Sequence, residues 1–299
     1  MDLSDFEPLL ASVGRRELRR DRSASELLNA LAATLDDSRR FRVGMAVPAL
    51  WHWIFFKPEA PQAELREDGH PVATGLLPPI PLPRRMWAGS RVHLRRALLT
   101  DQVLTRETTI DKIVEKQGSE GLLVFVTLRH EIADEVGEAI LEEQDLVYRQ
   151  APSGDIKIRS AAGATVATAE PADWRDRVDP SSALLFRYSA LTFNAHRIHY
   201  DRPYAEGVER YGGLVVQGPL IATLLLRGAE RSWPRDTISH IDYRAQKPMV
   251  DTDPIFLAGR RTGRSSAKLW AHDAAGCHCA TLLLEFGLPG TSSHARAPP

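Results

Sequence analysis

The sequence predicts an α+β chain made of two antiparallel-sheet halves, and three observations predict it. Residues 92–99, 103–115, 121–132 and 138–148 are long runs of strand composition, punctuated by Gly118 and Gly137. Four more such runs, 237–247, 255–261, 266–272 and 277–286, close the chain. Just before the second block lies a helix, 219–233, apolar round most of its circumference and so expected to be buried.

The remaining elements follow in order. Residues 23–35 predict a helix: Ser23 is a candidate cap, Glu26 stands three residues on, and Leu27, Leu28, Leu31 and Leu35 form one stripe. An aromatic cluster, Trp51-His52-Trp53-Ile54-Phe55-Phe56, leads into the proline-dense residues 71–83, which suit neither a helix nor a central strand and must wrap something. After the first strand block, residues 150–169 are rich in Ala and Gly, and 171–180 read as an exposed connection. Four strands with a central buried helix make a hotdog. The expected organisation is therefore a double hotdog: an N-terminal hotdog-like half shaping the substrate pocket over 1–150, a linker over 151–180, a C-terminal catalytic hotdog over 181–289, and a disordered Gly-Ser-Pro tail over 290–299. No sequence repeat between the halves is visible.

Composition narrows the function. The 299 residues are 43% hydrophobic and 26% charged, and 38 basic against 39 acidic groups give a formal charge of -1. No global field exists for nucleic acid or an anionic membrane, so any anion must be held locally and the ligand is expected to be small. Residues 1–10 carry acidic groups where a secretion signal needs a basic start, and the longest apolar stretches fall short of the roughly 20 residues that span a bilayer. A cytoplasmic location is the expectation. Cys277 and Cys279 have spacing for neither a disulfide framework nor a zinc site, and are read as packing residues.

The densest chemistry is Tyr188-Ser189-Ala190-Leu191-Thr192-Phe193-Asn194-Ala195-His196-Arg197-Ile198-His199-Tyr200-Asp201. His199 can take and return a proton near neutrality, as reversible addition of water to a double bond requires, and Asn194, five residues earlier, can orient the water. Downstream, Gly218-Pro219 opens the buried helix. The Gly218 amide, unobstructed and backed by the positive helix end, is a candidate donor to a thioester carbonyl. Arg84 and Arg85, beside Met86 and Trp87, suit a phosphate or carboxylate next to an apolar surface, and Arg197 either contacts substrate or organises the site. A histidine among turn residues is also compatible with a structural role, and Gly218 with tight helix packing.

These segments resemble the MaoC-like hydratase/dehydratase family, which shares an aspartate, then asparagine-proline, then a histidine five residues after the aspartate, before a glycine-led hotdog helix. The stretch from Thr192 to Asp201, together with Pro83-Arg84-Arg85-Met86-Trp87-Ala88-Gly89, is similar to the branch holding hydroxyacyl-thioester dehydratase type 2 and the 3-methylfumaryl-CoA (mesaconyl-CoA) and itaconyl-CoA hydratases. Here Asn194 stands in the place of the family's aspartate, His196 of its asparagine, Arg197 of its proline, and Gln217 of a histidine that often precedes the helix glycine. The resemblance implies that His199 is the main acid and base, that Asn194 positions water, and that Asp201 or His196 is a second proton carrier, with Arg84, Arg85, Trp87, Arg197, His196 and Gln217 towards the substrate.

The expected function is thus a hydro-lyase of an α,β-unsaturated acyl-CoA, with 3-methylfumaryl-CoA or itaconyl-CoA going to citramalyl-CoA favoured because the arginines offer partners for a second carboxylate. The competing expectations are a 3-hydroxyacyl-thioester dehydratase of fatty-acid synthesis walled by the 51–56 cluster, a hotdog thioesterase, and a non-catalytic acyl-CoA-binding module. No metal and no redox cofactor is expected, since no acid/His cluster has ligand spacing in the sequence and no dinucleotide fingerprint is present; CoA is part of the substrate. The partners expected are the acyl-CoA and a second copy in a homodimer, although two halves in one chain can already be complete.

Overall fold

The computed structural model describes residues 3–72, 75–118, 121–150 and 170–287; the expected tail and most of the expected linker lie outside them. A single ten-stranded antiparallel sheet runs β1 (Arg16–Arg22), β3 (Val103–Gly118), β4 (Gly121–Asp134), β5 (Gly137–Arg149), β2 (Arg84–Leu94), β7 (Ile238–Ala245), β10 (His278–Phe286), β9 (Ser266–His272), β8 (Ile255–Arg261), β6 (Trp174–Val178). From the central β2–β7 pair outward, each half places its second, fifth, fourth, third and first strands in that order. Between its first and second strands each half carries a helix, α2 (Ser25–Thr34) in one and α5 (Gly218–Ser232) in the other. The duplication that residue identity hides is therefore explicit in topology, and the fold is an α+β double hotdog.

Alternation builds both helices and sheet. Along β4 burial changes at almost every residue, the period-2 signature of a sheet with one covered face. Helix α5 buries Leu220, Ile221, Leu224 and Leu225 and packs against β6, β8, β9 and β10, and α2 buries Leu28, Leu31 and Ala32 in the same core. The halves are joined by register as well: Ser90 pairs with Tyr243 and Val92 with Ile241. At this seam the β2–β5 register shifts between Trp87 and Gly89, and a Cβ on Gly89 would stand only 2.2 Å from the Tyr243 carbonyl oxygen. The bulge turns this part of β2 relative to its neighbours.

Several local expectations are corrected. Ser23 does not cap α2; its hydroxyl donates to the Leu99 carbonyl at 2.7 Å, while the N-cap is Ala24 and the Ser25 amide is taken by Asp101. The first long strand starts at Arg84, before residue 92, because Pro83 ends the proline-dense stretch and everything after it can donate to the ladder. Residues 174–178, expected as linker, form β6: the Trp174 ring fills the space left by Gly228 and Gly259, where a Cβ would come within 2.4 and 2.6 Å of it. The 51–56 cluster is core, with Trp51, Ile54, Phe55 and Phe56 buried. Cys279 is buried and Cys277 half-buried, and both are free thiols. No helix among the described residues is long and apolar enough to cross a membrane.

Candidate active site

The sequence 182–218 threads three short elements past one cavity. Helix α3 (Ser182–Thr192) is capped by the Ser181 hydroxyl and ends on Phe193 in the left-handed region at φ +52. The reversal brings the Asn194 amide back to Ser189 O at 2.8 Å and starts a one-turn 3-10 helix, Arg197–His199. Helix α4 (Arg202–Gly207) follows, and α5 then opens with Gly218 and Pro219. The cavity is about 840 Å³, and both halves line it: His70, Arg85 and Trp87 from the first, Asn194, His199 and Gly218 from the second. That volume suits a drug-sized or cofactor-sized ligand.

His199 is buried, and its Nδ1 lies 2.7 Å from the Val215 carbonyl oxygen. A carbonyl only accepts, so Nδ1 carries the hydrogen and Nε2 is a bare acceptor. Burial pushes the imidazole down to about 4, against the Val215 hydrogen bond, which favours charge. The ring is therefore neutral at pH 7 and poised as a base. Asn194 spends Oδ1 on the His196 amide at 3.1 Å, which leaves its NH2 without a protein partner among the described residues. Burial, and after it the neighbouring His70 and His199, hold His196 well below the ordinary histidine range.

Gly218 has no room for a side chain: a Cβ would come 2.8 Å from the Trp87 ring, which stacks on Tyr243 with centroids 4.9 Å apart. The Gly218 amide, in the first turn of α5, has no acceptor among the described residues, and no side chain caps that helix. Gln217 lines the cavity, but its Nε2 is committed to Leu185 O and Ser189 Oγ, both at 2.9 Å, with Oε1 buried and unpaired.

Two candidates fall outside the cavity wall. Asp201 caps α4 through the Tyr204 amide and accepts from Arg197 at 2.7 and 2.9 Å; these bonds hold its carboxyl below the usual range, so it is no proton donor at neutral pH. Arg197, so paired, lies over the Tyr204 ring at 4.1 Å and reaches the Glu67 carbonyl, contacts that suit an organising place. Arg84 does line the cavity, yet it is buried and already neutralised by Glu209 at 2.8 Å. Arg85, half-buried on the same wall, has no carboxylate partner among the described residues. The 51–56 cluster does not line the cavity and cannot be its wall.

Sequence reasoning missed the Asp68-Gly69-His70 turn and Tyr243. The turn docks on the 194–199 segment: Asp68 O accepts the Arg197 amide at 2.9 Å, and His70 stands 4.2 Å from His196, ring centre to ring centre. Asp-Gly-His between prolines was the available signal. Donor atoms of Asp68, His70 and His196 lie within 4.8 Å of one another, a grouping that no sequence spacing shows. Ligands of a tetrahedral zinc are about 3.4 Å apart for bonds of roughly 2.1 Å. The Asp68 carboxylate already serves His70, so these residues are read as a carboxylate–imidazole pair. Tyr243 is buried with its hydroxyl unpaired, and the hydroxyl lies 3.8 Å from where a Gly218 Cβ would be.

A double hotdog with a neutral histidine and a helix N-terminus on the wall of one two-sided cavity fits the class of acyl-thioester hydratases and dehydratases. The model of hydroxyacyl-thioester dehydratase type 2 matches residues 50–251, and the chain belongs to that family. It is 42% identical over 262 residues, 85% of this chain and 89% of the relative, to the mesaconyl-C(4)-CoA hydratase of Chloroflexus aurantiacus. Among solved structures it is similar in fold to a MaoC-like dehydratase from Phytophthora capsici, at TM-score 0.68 and 14% identity, over 94% of this chain and 98% of that one. A Mycobacterium tuberculosis protein described as a double hotdog matches at TM-score 0.55 and 13% identity, over 94% and 97% of the two chains. The protein is a hydro-lyase.

Proposed function

We infer that this enzyme adds water to the double bond of a short, branched, dicarboxylic enoyl-CoA, with 3-methylfumaryl-CoA giving citramalyl-CoA as the leading substrate. The observation that carries the hydratase chemistry is the neutral His199, with Nδ1 pinned and Nε2 bare at the cavity. The thioester oxygen sits at the start of α5, where the Gly218 amide and the helix dipole stabilise the charge of the enolate-like transition state. Water attacks the β carbon, His199 takes its proton, and the same proton is returned to the α carbon. The Asn194 NH2 donates to the incoming oxygen. No metal or redox group is needed, and CoA enters as part of the substrate. Two things support the dicarboxylic substrate: the activity named for the Chloroflexus relative, and Arg85, a cation on the wall near His70 with no carboxylate partner among the described residues.

The test is incubation of the purified chain with crotonyl-CoA and 3-methylfumaryl-CoA. Loss of the enoyl absorbance means hydration, free thiol means a thioesterase, and binding without turnover means a module. His199→Ala is expected to lower kcat at least about 100-fold while remaining folded. Arg85→Gln is expected to raise KM for 3-methylfumaryl-CoA at least about tenfold and to leave crotonyl-CoA within about twofold, as loss of a charge-assisted pair predicts; equal effects on both substrates would remove the carboxylate assignment.

A further inference from the structure

Attack by water makes two demands. One hydrogen must go to a base, and the other must be held so that an oxygen lone pair faces the β carbon. His199 meets the first. In the second half Asn194 turns its oxygen to the His196 amide and Asp201 lies outside the cavity, which leaves the unpaired Gln217 Oε1 and the His196 ring as its remaining acceptors, neither held by a charged partner.

The first half supplies one that is oriented by a carboxylate. A tight turn joins the Arg66 amide to His70 O at 2.7 Å and the Gly69 amide to Arg66 O at 2.9 Å. Inside it, Asp68 Oδ1 accepts from the His70 amide at 2.9 Å, and Oδ2 lies 3.3 Å from His70 Nδ1, a close electrostatic contact without hydrogen-bond alignment. Against the pull of burial, the contacts from His70 keep the Asp68 carboxyl below its usual range, so it is ionised and only accepts. An ionised carboxylate this close favours the tautomer with the hydrogen on Nδ1, which leaves Nε2 as the acceptor. His70 lines the cavity, 4.2 Å from His196, which is 5.5 Å from His199, ring centre to ring centre. The turn is rigidly seated, since a Cβ on Gly69 would lie 1.8 Å from Ala195 O.

We propose that His70, oriented by Asp68, is the second water-holding group of the site: its Nε2 accepts one hydrogen of the attacking water while His199 Nε2 accepts the other. This rests on the hydratase reading. The balance closes without another reactant. The water oxygen bonds to the β carbon, the hydrogen facing His199 leaves to that base and then to the α carbon, and the hydrogen facing His70 stays on the product hydroxyl. Burial holds His70 below its ordinary pKa, which keeps the acceptor uncharged at neutral pH. Asp68 is a positioning residue. The arrangement replaces, from the other half of the chain, the acceptor that an amide at position 194 does not provide.

The experiment is steady-state kinetics and thermal melting of the full chain. His70→Ala is expected to lower kcat by about 100-fold, with KM within about threefold and the melting temperature unchanged. His70→Gln keeps an oxygen near the place of Nε2 and recovers part of the loss. Asn194→Asp in the His70→Ala background restores a carboxylate acceptor and recovers at least about tenfold, a rescue that a packing role would not give. Unchanged kcat in His70→Ala, or a loss that neither substitution rescues, overturns the proposal. If the wild-type chain turns over neither thioester, the hydratase reading falls. The tautomer of His70, read by 15N NMR, then still decides: a protonated Nδ1 with bare Nε2 is expected, and the reverse overturns it.

Discussion

Gly69→Ala tests whether the two halves share one site. Gly69 lies at φ +88, and an added Cβ would stand 1.8 Å from the Ala195 carbonyl oxygen and 2.7 Å from its carbon, both backbone atoms that cannot swing aside. Holding an L-residue in the left-handed region costs roughly 1–2 kcal/mol. Van der Waals contact requires the turn to retreat by more than an ångström, which breaks the bond from the Arg197 amide to Asp68 O, another ~1 kcal/mol. The total, about 2–3 kcal/mol, is a small part of the stability of a 299-residue chain, and the melting temperature is expected to fall by roughly 5 °C. The effect on turnover is larger, because His70 leaves the cavity wall and the 194–199 segment loses its support: a 1 Å misplacement costs about 100-fold. Paired melting curves and kcat measurements on 3-methylfumaryl-CoA read both. A variant with wild-type kcat and wild-type melting would refute the docking argument, and one that loses melting temperature without kcat would refute its link to catalysis.

Two further outcomes follow from burial and from the seam. His199 and His130 are both pushed down by burial, to about 4 from 6.5, so the unfolded chain binds protons first and stability is full above pH 6.5 and lost as pH falls through 6.5 towards 4. Each contributes on the order of 2 kcal/mol of loss by pH 5, and urea melts at pH 7.5 and 5 should show it; equal midpoints would refute the neutral assignments. Glu142, which burial would raise but His52 and Ser90 hold at about 2, adds to the loss only below pH 4.5. Residues 1–150 expressed alone are expected to aggregate, because β2 loses its pairing with β7 and presents an open central edge; light scattering that shows a monomer with cooperative melting would count against this.

Local pattern determined a good deal of this protein. Strands β3, β4, β8, β9 and β10 and helix α5 were legible because period-2 alternation and an all-round apolar helix are written in neighbouring residues, and the 194–199 segment because three titratable groups stood in a turn. The family followed from the same residues. What local pattern misread were elements whose character comes from distant partners. Trp174 is a strand residue because Gly228 and Gly259 leave it a socket, and the 51–56 aromatics are core because the rest of the core closes over them. Charge pairing was decided in the same way at Arg84, which looked as free as Arg85 until folding set Glu209 beside it, whereas Arg197 pairs locally with Asp201 four residues on. His70 was invisible as a site residue for the corresponding reason. Spacing along the chain reports only what one element can bring together, whereas the approach of the Asp68-Gly69-His70 turn to Ala195 needs the two halves already joined through β2 and β7.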